Sequence, residues 1–199
     1  MDRESKRKRT KKLLLDATKA LVLEKGCNNM TLNDIIKRTG LSKGAIYHYV
    51  KSKDELLALV LQERMEEINE RFFAEVNQGK KEFEGPLKEI VNKLPPLQDP
   101  HDATNRIFLY LLAKNDQPAV SEIINEFYHQ AVQLSKQWIT AGQHAGVIPS
   151  SVNADKTAEL FILISNGFRM RSSISNHSHA FSTDDFSILM ADLLQSKQK

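Results

Sequence analysis

The sequence predicts an all-α protein with a small N-terminal domain and a larger C-terminal one. Apolar residues recur at helical spacing along most of the 199-residue chain. No stretch shows the sustained alternation of apolar and polar residues that indicates a strand. Capping residues, glycines and prolines divide the pattern into segments of ordinary helix length. Because the basic residues concentrate before the first long helix, we expect one domain over residues 1–52 and another over residues 53–199.

Residues 30–57, MTLNDIIKRTGLSKGAIYHYVKSKDELL, carry the most informative pattern in the chain. Thr31 is a good helix N-cap, and Asp34 places a carboxylate in the first turn that follows. Gly40 lies where a tight turn needs a positive φ, and Ser42 can cap a second, short helix. A helix, a glycine turn and a short helix indicate a helix-turn-helix motif. The alternative is an ordinary helical hairpin with one solvated face.

The short second helix is predicted to have one buried and one exposed face. Ile46 and Val50 are its inward positions. Ser52 and Glu55 form a capping-box pattern, so a third helix is expected to begin near Lys53. The positions on or near the outer face are Lys43, Gly44, Ala45, Tyr47, His48 and Tyr49.

The charge of the chain is distributed very unevenly. Residues 1–53 carry 14 Lys/Arg and 5 Asp/Glu, a net charge of +9, whereas the remainder carries 14 Lys/Arg and 20 Asp/Glu, a net charge of −6. A basic N-terminal region is the electrostatic pattern expected for contacts with phosphates, and an acidic remainder avoids them. The charge therefore favours a nucleic-acid-binding motif over a solvated hairpin.

At this level of detail the N-terminal segment resembles the tetracycline-repressor (TetR) family of bacterial regulators. The resemblance covers about residues 11–57, and beyond about residue 65 it extends only to an all-helical plan of the right length. The matching motifs are LLDA at 14–17, Lys25-Gly26, TLNDI at 31–35, RTGLSKGAIYHY at 38–49 and KSKDEL at 51–56.

The resemblance implies a recognition helix near residues 42–48 that enters the DNA major groove. Four positions match family residues that approach base edges or the adjacent backbone: Lys43, Gly44, Ala45 and His48. Three match positions that contact phosphate: Thr31, Tyr47 and Lys53. Ser42 completes the DNA-binding set, together with Tyr49, for which backbone contact and packing both remain open.

Four residues depart from the usual pattern of the family. Val22 and Val50 stand where phenylalanine is common, Cys27 where an aromatic is common, and Ile36 where alanine is common. All four are expected in the small three-helix core. We interpret them as a compensated repacking, which cores tolerate when the total volume is kept.

Composition limits the remaining possibilities. A single cysteine, Cys27, excludes a disulfide within the chain and fits a reducing bacterial cytoplasm. No apolar run reaches the ~20 residues needed to span a membrane. The N-terminus is basic but lacks the apolar core of a signal peptide. Residues 3–12 are interpreted as a disordered basic arm, which either reaches a minor groove or is simply solvated.

The region after residue 53 is predicted to be helical throughout. Residues 94–102 are interpreted as a proline-containing loop, and Pro118 fits the first turn of a long helix. Thr183, followed by two aspartates, is a strong helix start. The predicted helices span residues 53–77, 85–93, 103–114, 118 to 141 or 143, 153–173 and 183–196.

The resemblance implies a dimer, because the family pairs its last two long helices with those of a second copy. Two recognition helices also give a specificity that one short helix lacks. The alternative is that the same apolar residues fill the core of the monomer. The candidate interface residues are Ile162, Ser165, Phe186, Leu189, Met190 and Leu193.

An effector pocket is expected among the middle helices of the C-terminal domain. An apolar cavity with a few polar groups suits a hydrophobic or amphipathic small molecule. Arg169 and Arg171 follow Gly167 in an apolar helix, and either could meet a ligand carboxylate or a dimer salt bridge. The apolar candidates could equally be core residues. The pocket candidates are Phe108, Leu111, Leu112, Phe127, Tyr128, Trp138, Phe161 and Arg169.

The sequence offers no residues for catalysis, for a cofactor or for a metal. No phosphate-binding glycine loop and no nucleophile in a triad context is present. His177 and His179 lie in a polar segment without cysteine or carboxylate partners, so they are interpreted as solvated. We therefore expect a ligand-responsive homodimeric repressor. The alternatives are a DNA-binding protein without a small-molecule effector and a helical binding protein or enzyme that does not use DNA.

Overall fold

The computed structural model describes residues 3–77, 83–174 and 179–195, and these ranges contain helices and no strand. The all-α prediction is confirmed. The helices are α1 (Arg3–Asn29), α2 (Leu32–Thr39), α3 (Lys43–Tyr47), α4 (Lys53–Val76), α5 (Glu84–Val91), a 3-10 helix (Pro95–Gln98), α6 (Ala103–Leu112), α7 (Pro118–His144), α8 (Ala154–Ile174) and α9 (Thr183–Gln195).

The chain forms two compact units. The N-terminal unit contains Met1–Arg64 and His101–Phe127, and the C-terminal unit contains Met65–Pro100 and Tyr128–Lys199. α6 therefore belongs with the first helices, although it lies far along the chain. The predicted domain boundary after residue 52 separates the DNA-binding motif from the rest of the chain by function. It is not a boundary between the two compact units, and it stays a prediction.

In the N-terminal unit, α1 packs against both α2 and α6. Its core is built from the inward faces of these helices. Leu14 of α1, Ile35 of α2 and Ile107 of α6 are all fully buried. Burial of each such side chain contributes about 1.5–3 kcal/mol. This core supports α3, whose inward residue Ile46 is also fully buried.

The residues that depart from the family pattern lie mostly in this core. Val22, Val50 and Cys27 are buried, whereas Ile36 is half-buried rather than a full core residue. Burial raises the pKa of the Cys27 thiol to about 11. Since the thiolate is the reactive form, Cys27 acts as a small apolar residue.

The expectation of a disordered N-terminal arm is wrong for the described residues, because α1 begins at Arg3. Lysine and arginine have high helix propensity, and Glu4 pairs with Lys8 one turn later at 3.6 Å. The Tyr49 hydroxyl donates to the carbonyl oxygen of Arg7 at 3.3 Å. Local propensity and this tertiary contact together extend the helix through the basic segment.

The predicted starts at Lys53, Pro118 and Thr183 are confirmed. The loop prediction for residues 94–102 is wrong in its first half, where Pro95–Gln98 form a 3-10 helix. Proline fixes φ near −65°, which suits the first turn of a helix, so the two prolines begin a helical turn here. The last predicted residue, 196, lies outside the described residues.

In the C-terminal unit, α8 and α9 contact each other and the 3-10 helix. The aromatic rings of Phe161 and Phe168 lie 5.9 and 5.7 Å from that of Phe186. Arg171 donates to the Gln98 side-chain oxygen at 3.1 Å and to the Phe181 carbonyl at 2.8 Å. Arg171 thus serves packing, joining the 3-10 helix to the segment before α9.

No helix in the described ranges combines the length and the apolar character needed to cross a membrane.

Candidate nucleic-acid interface

The start of α2 is fixed by a complete capping box. The Thr31 hydroxyl accepts from the Asp34 backbone N–H at 3.2 Å, and the Thr31 backbone N–H donates to the Asp34 carboxylate at 2.9 Å. The hydroxyl also donates to that carboxylate at 2.9 Å. A phosphate contact by Thr31, as predicted, therefore requires this last hydrogen bond to be exchanged.

Asp34 also forms an ion pair with a lysine of α1. The Lys25 ammonium lies 2.7 Å from its carboxylate. The hydrogen bonds from Lys25 and then from Thr31 lower the pKa of Asp34 from 3.8 to about 2. The carboxylate therefore remains charged at neutral pH and joins the end of α1 to the start of α2.

A second ion pair between these helices was not predicted. The Arg38 guanidinium makes two hydrogen bonds to the Glu24 carboxylate, at 2.9 and 2.6 Å. This pairing lowers the pKa of Glu24. The two residues are 14 positions apart on different helices, so no local sequence signal could have identified the pair.

The turn between α2 and α3 depends on Gly40. Its φ is 67°, and its backbone N–H donates to the Ile36 carbonyl oxygen at 3.0 Å. A side chain at this position would meet nothing within 4 Å, so the requirement for glycine comes from the left-handed backbone alone. The turn predicted from the sequence is confirmed.

α3 is short, and its orientation is set by one cap and two buried residues. The Ser42 hydroxyl oxygen accepts from the Ala45 backbone N–H at 3.2 Å. Ile46 and Val50 are buried beneath it. Ser42 thus has a structural role, while its own O–H can still donate to a ligand. Ala45 is half-buried, and the exposed positions are Lys43, Gly44, Tyr47 and His48.

Gly44 is unusual because nothing within the protein requires it. It has helical backbone geometry, and a Cβ built there meets no atom within 4 Å. Glycine in a helix is destabilising by roughly 0.5–1 kcal/mol relative to alanine. Its value at this position therefore lies in leaving space at the exposed surface.

The aromatic residues of this surface are held by local contacts. The Lys43 ammonium lies 5.6 Å from the centre of the Tyr47 ring, which is 45% exposed. The Tyr49 ring is half-buried and lies edge-to-face against His48 at 5.6 Å. Because the Tyr49 hydroxyl also donates to Arg7, Tyr49 has a packing role whether or not it contacts a phosphate.

The Lys53 side chain makes contacts that the sequence did not indicate. Its ammonium donates to the carbonyl oxygens of Cys27 at 2.8 Å and Asn28 at 3.1 Å, at the end of α1. It also lies 5.4 Å from the centre of the Tyr110 ring. Lys53 therefore caps α1, and its predicted contact with phosphate stays a prediction. Sequence reasoning missed this cap because the partners lie 25 and 26 residues away.

The C-terminal unit contains a separate candidate site, a cavity of about 290 Å³. Trp138 and Phe161, two of the effector-pocket candidates, line it. Tyr128 and Arg169 belong to the same unit but are not among its lining residues. The remaining pocket candidates belong to the N-terminal unit: Phe108, Leu111, Leu112 and Phe127.

The structure separates the candidate dimer residues into two groups. Phe186 and Met190 are only 0% and 4% exposed and line the cavity, so their side chains pack within this chain. Ile162 and Ser165 are half-buried cavity residues, and Leu189 and Leu193 are half-buried on α9. The exposed apolar residues of α8 were not among the candidates.

Within the described ranges, no three His, Cys, Asp or Glu side chains are grouped in a way that could hold a metal ion. His179 is exposed, and His177 lies outside the described residues.

Comparison with known proteins places the similarity on the helices described above. Residues 14–60 match the family model of bacterial regulatory proteins of the tetR family. The chain is 35% identical over 71 residues to the HTH-type transcriptional regulator PksA of Bacillus subtilis, a stretch covering 36% of this chain. That stretch spans only 33% of PksA, about a third of its length.

Solved structures extend the likeness in fold to nearly the whole chain. A TetR-family transcriptional regulator from Rhodococcus sp. shares a TM-score of 0.65 at 21% identity, covering 94% of this chain and 98% of that one. A regulator from Saccharomonospora viridis in complex with choline has a TM-score of 0.58 at 20% identity, with 93% and 95% covered. The matched helices carry the exposed surface around α3, and residues 14–60 of this chain form a region of the tetR family of bacterial regulatory proteins.

Proposed function

We propose that this regulator is a cytoplasmic homodimeric repressor that binds a palindromic DNA operator and is released by a small-molecule effector. The exposed face of α3 carries the proposal. It presents Lys43, Gly44, Tyr47 and His48 to solvent, and the open space at Gly44 has no use within the protein. Such a face suits close approach to the major groove and its phosphates.

The dimer is supported by an exposed apolar stripe on α8. Leu160, Leu163, Met170 and Ile174 are 39–70% exposed and follow one another at helical spacing. Ile188 of α9 is also 60% exposed. Apolar residues clustered on one exposed face mark an interaction surface. Two copies paired through this surface would present two recognition helices to a palindromic site.

The effector is supported by the cavity of the C-terminal unit. α4 begins with Lys53 at the DNA-binding motif and carries the cavity residues Phe72 and Val76 toward its other end. A ligand lowers DNA affinity only if it binds better to a conformation in which the recognition helices are wrongly spaced. α4 is the element through which we propose this coupling.

Selection of bound sequences from a random DNA library, at near-physiological salt, tests the DNA-binding part. A palindromic motif is expected. Lys43→Ala should weaken binding to the selected site, whereas Lys156→Ala, an exposed lysine of α8, should leave it unchanged. If no motif is enriched, the protein is not a sequence-specific dimeric regulator.

Sequence preference and release are tested with the selected operator. His48→Ala should change the preferred bases, and equal weakening on all DNAs would show that His48 does not contact a base edge. Compounds found to bind the cavity should lower operator affinity at saturation. If every such compound leaves operator affinity unchanged, the effector part of the proposal fails.

A further inference from the structure

The cavity of the C-terminal unit has an almost entirely apolar wall. Five aromatic residues contribute to it, from α4, the position just before α5, α7, α8 and α9: Phe72, Phe83, Trp138, Phe161 and Phe186. The remaining wall is mostly aliphatic. Such a surface gains free energy when an apolar ligand removes it from water.

Polar groups on this wall are few and neutral. No Asp, Glu, Lys, Arg or His is found among the described residues that line the cavity. Ser135 of α7, which is 4% exposed, and Ser165 of α8 supply two hydroxyls. The Trp138 indole N–H donates to the Asn69 side-chain oxygen at 2.9 Å, so it is engaged within the protein.

The volume sets the size of the ligand. An engineered apolar cavity of about 150 Å³ stays dry and binds benzene. The cavity here, at about 290 Å³, is roughly twice as large. It therefore accommodates a two-ring compound or a medium-length alkyl chain.

From these observations we infer that the effector is an uncharged, largely apolar molecule of this size, whose one polar group hydrogen-bonds to Ser135 or Ser165. This inference rests on the proposed function for its biological meaning, since it names the chemical class of the proposed effector. The inference narrows the chemical class of the proposed effector from any hydrophobic or amphipathic compound to uncharged compounds.

The exclusion of charged ligands follows from the cost of desolvation. An ionised group buried without a counter-charge loses its hydration and gains no ion pair, so it binds as the neutral species instead. A carboxylic acid with a pKa of about 4–5 is only about 0.1–1% neutral near pH 7. An aromatic wall can attract a cation, but none of the described residues that line the cavity supplies a carboxylate to compensate the cation's lost hydration.

A matched series of ligands tests the inference: octan-1-ol, octanoate and octylammonium, which share one chain and differ in the charge of the head group. Trp138 is the only tryptophan of the chain and lines the cavity, so its fluorescence reports occupancy directly. The full-length protein should bind the alcohol at least roughly tenfold more tightly than either ion. Octanoate should bind roughly tenfold more tightly for each unit that pH falls between about 8 and 6.

Two substitutions locate the binding. Ala141→Leu fills part of the cavity and should weaken octanol binding at least roughly tenfold, whereas the same change at exposed Ala119 of α7 should have no effect. Ser135→Ala and Ser165→Ala each remove one of the two hydroxyls, and at least one of these variants should weaken octanol binding several-fold. A melting curve of each unliganded variant confirms that it is folded.

The outcomes separate the inference from the function on which it rests. Octanoate or octylammonium binding as tightly as octanol would overturn the inference, as would failure of octanol to bind, or binding that Ala141→Leu leaves intact. Operator affinity is measured on the same samples. If the protein binds octanol selectively but its operator affinity stays unchanged, the cavity is selective for neutral ligands. The same result contradicts the proposal that ligands of this class release the protein from its operator.

Discussion

At the scale of single residues, Gly44 is a position where stability and function favour different amino acids. Its helical backbone does not need glycine, and the space above it is empty. Selection for stability alone would favour alanine, because alanine loses less backbone entropy on folding than glycine and its methyl group would meet no neighbouring atom here. The residue is therefore best explained by a surface that another molecule must approach closely.

Gly44→Ala should raise stability and weaken DNA binding at once. The free energy of unfolding should increase by about 0.5–1 kcal/mol, the usual difference between glycine and alanine in a helix. Operator affinity should fall on the order of tenfold, because the new methyl group holds the DNA away. Denaturant unfolding and a DNA titration check the two effects. A stabilised variant with unchanged affinity would show that DNA does not approach Gly44.

Asp34 contributes to the pH dependence of the stability of the fold in acid. Its folded pKa, about 2, lies below the ordinary value of 3.8 because Lys25 and Thr31 donate to the carboxylate. The unfolded chain therefore binds more protons in this range. The stabilisation is fully present above pH 4 and is lost as pH falls toward 2.

Asp34→Asn should accordingly flatten the loss of thermal stability between pH 4 and pH 2, while lowering stability at neutral pH. Melting temperatures measured across this range test the expectation. Thr31→Ser retains the capping hydroxyl, so it should keep the acid dependence of the unaltered protein. A steep acid transition that persists in Asp34→Asn would assign the effect to other carboxylates.

At the scale of secondary-structure elements, the sequence predicted the starts of helices better than their tertiary partners. The capping box at Thr31 and the glycine turn at Gly40 depend on neighbours within four residues, so they could be predicted. The cap that Lys53 provides for α1 depends on a distant part of the chain. For the same reason, the Tyr49 contact that holds the basic start of α1 could not be predicted.

Lys53→Ala should affect both stability and DNA binding, because the ammonium caps α1 and is also the proposed phosphate contact. Loss of the cap should cost about 1 kcal/mol. Binding to all DNA sequences should weaken, and the log–log salt slope should fall by about one unit. The exposed Lys43 is the matched control, since Lys43→Ala should weaken binding without lowering stability.

Thermal melting and salt titrations of the two variants distinguish the roles of Lys53. A loss of stability with an unchanged salt slope would make Lys53 a structural cap only. A reduced slope with unchanged stability would show that the hydrogen bonds to Cys27 and Asn28 are dispensable.

At the scale of the whole molecule, charge and exposed apolar surface are divided between different parts of the chain. The first 53 residues carry the positive charge, and α8 carries the exposed apolar stripe. A basic face suits the DNA, while the stripe suits a second copy. This division agrees with the proposal that one region contacts DNA and another pairs two copies of the chain.

Leu163→Glu should separate the proposed dimer into single chains. Leu163 is 56% exposed, so the change should leave the fold of each chain intact, but it would place a carboxylate in the apolar interface. Light scattering should then give the mass of one chain, and operator binding should weaken sharply. Leu23→Glu changes a similarly exposed leucine of α1 and should leave the mass unchanged. A Leu163→Glu protein that remains dimeric would place the interface elsewhere.

The sequence by itself determined the all-α class, the helix-turn-helix and the exposed residues of α3, because these follow from periodicity, caps and turn residues that act over a few positions. Tertiary structure alone decided which apolar residues form the cavity and which remain exposed. Phe108 and Phe161 have the same chemistry, yet only Phe161 lines the cavity, since they belong to different compact units. The hydrophobic effect is non-directional, so it places apolar residues inside without specifying their partners. Long-range packing makes that choice.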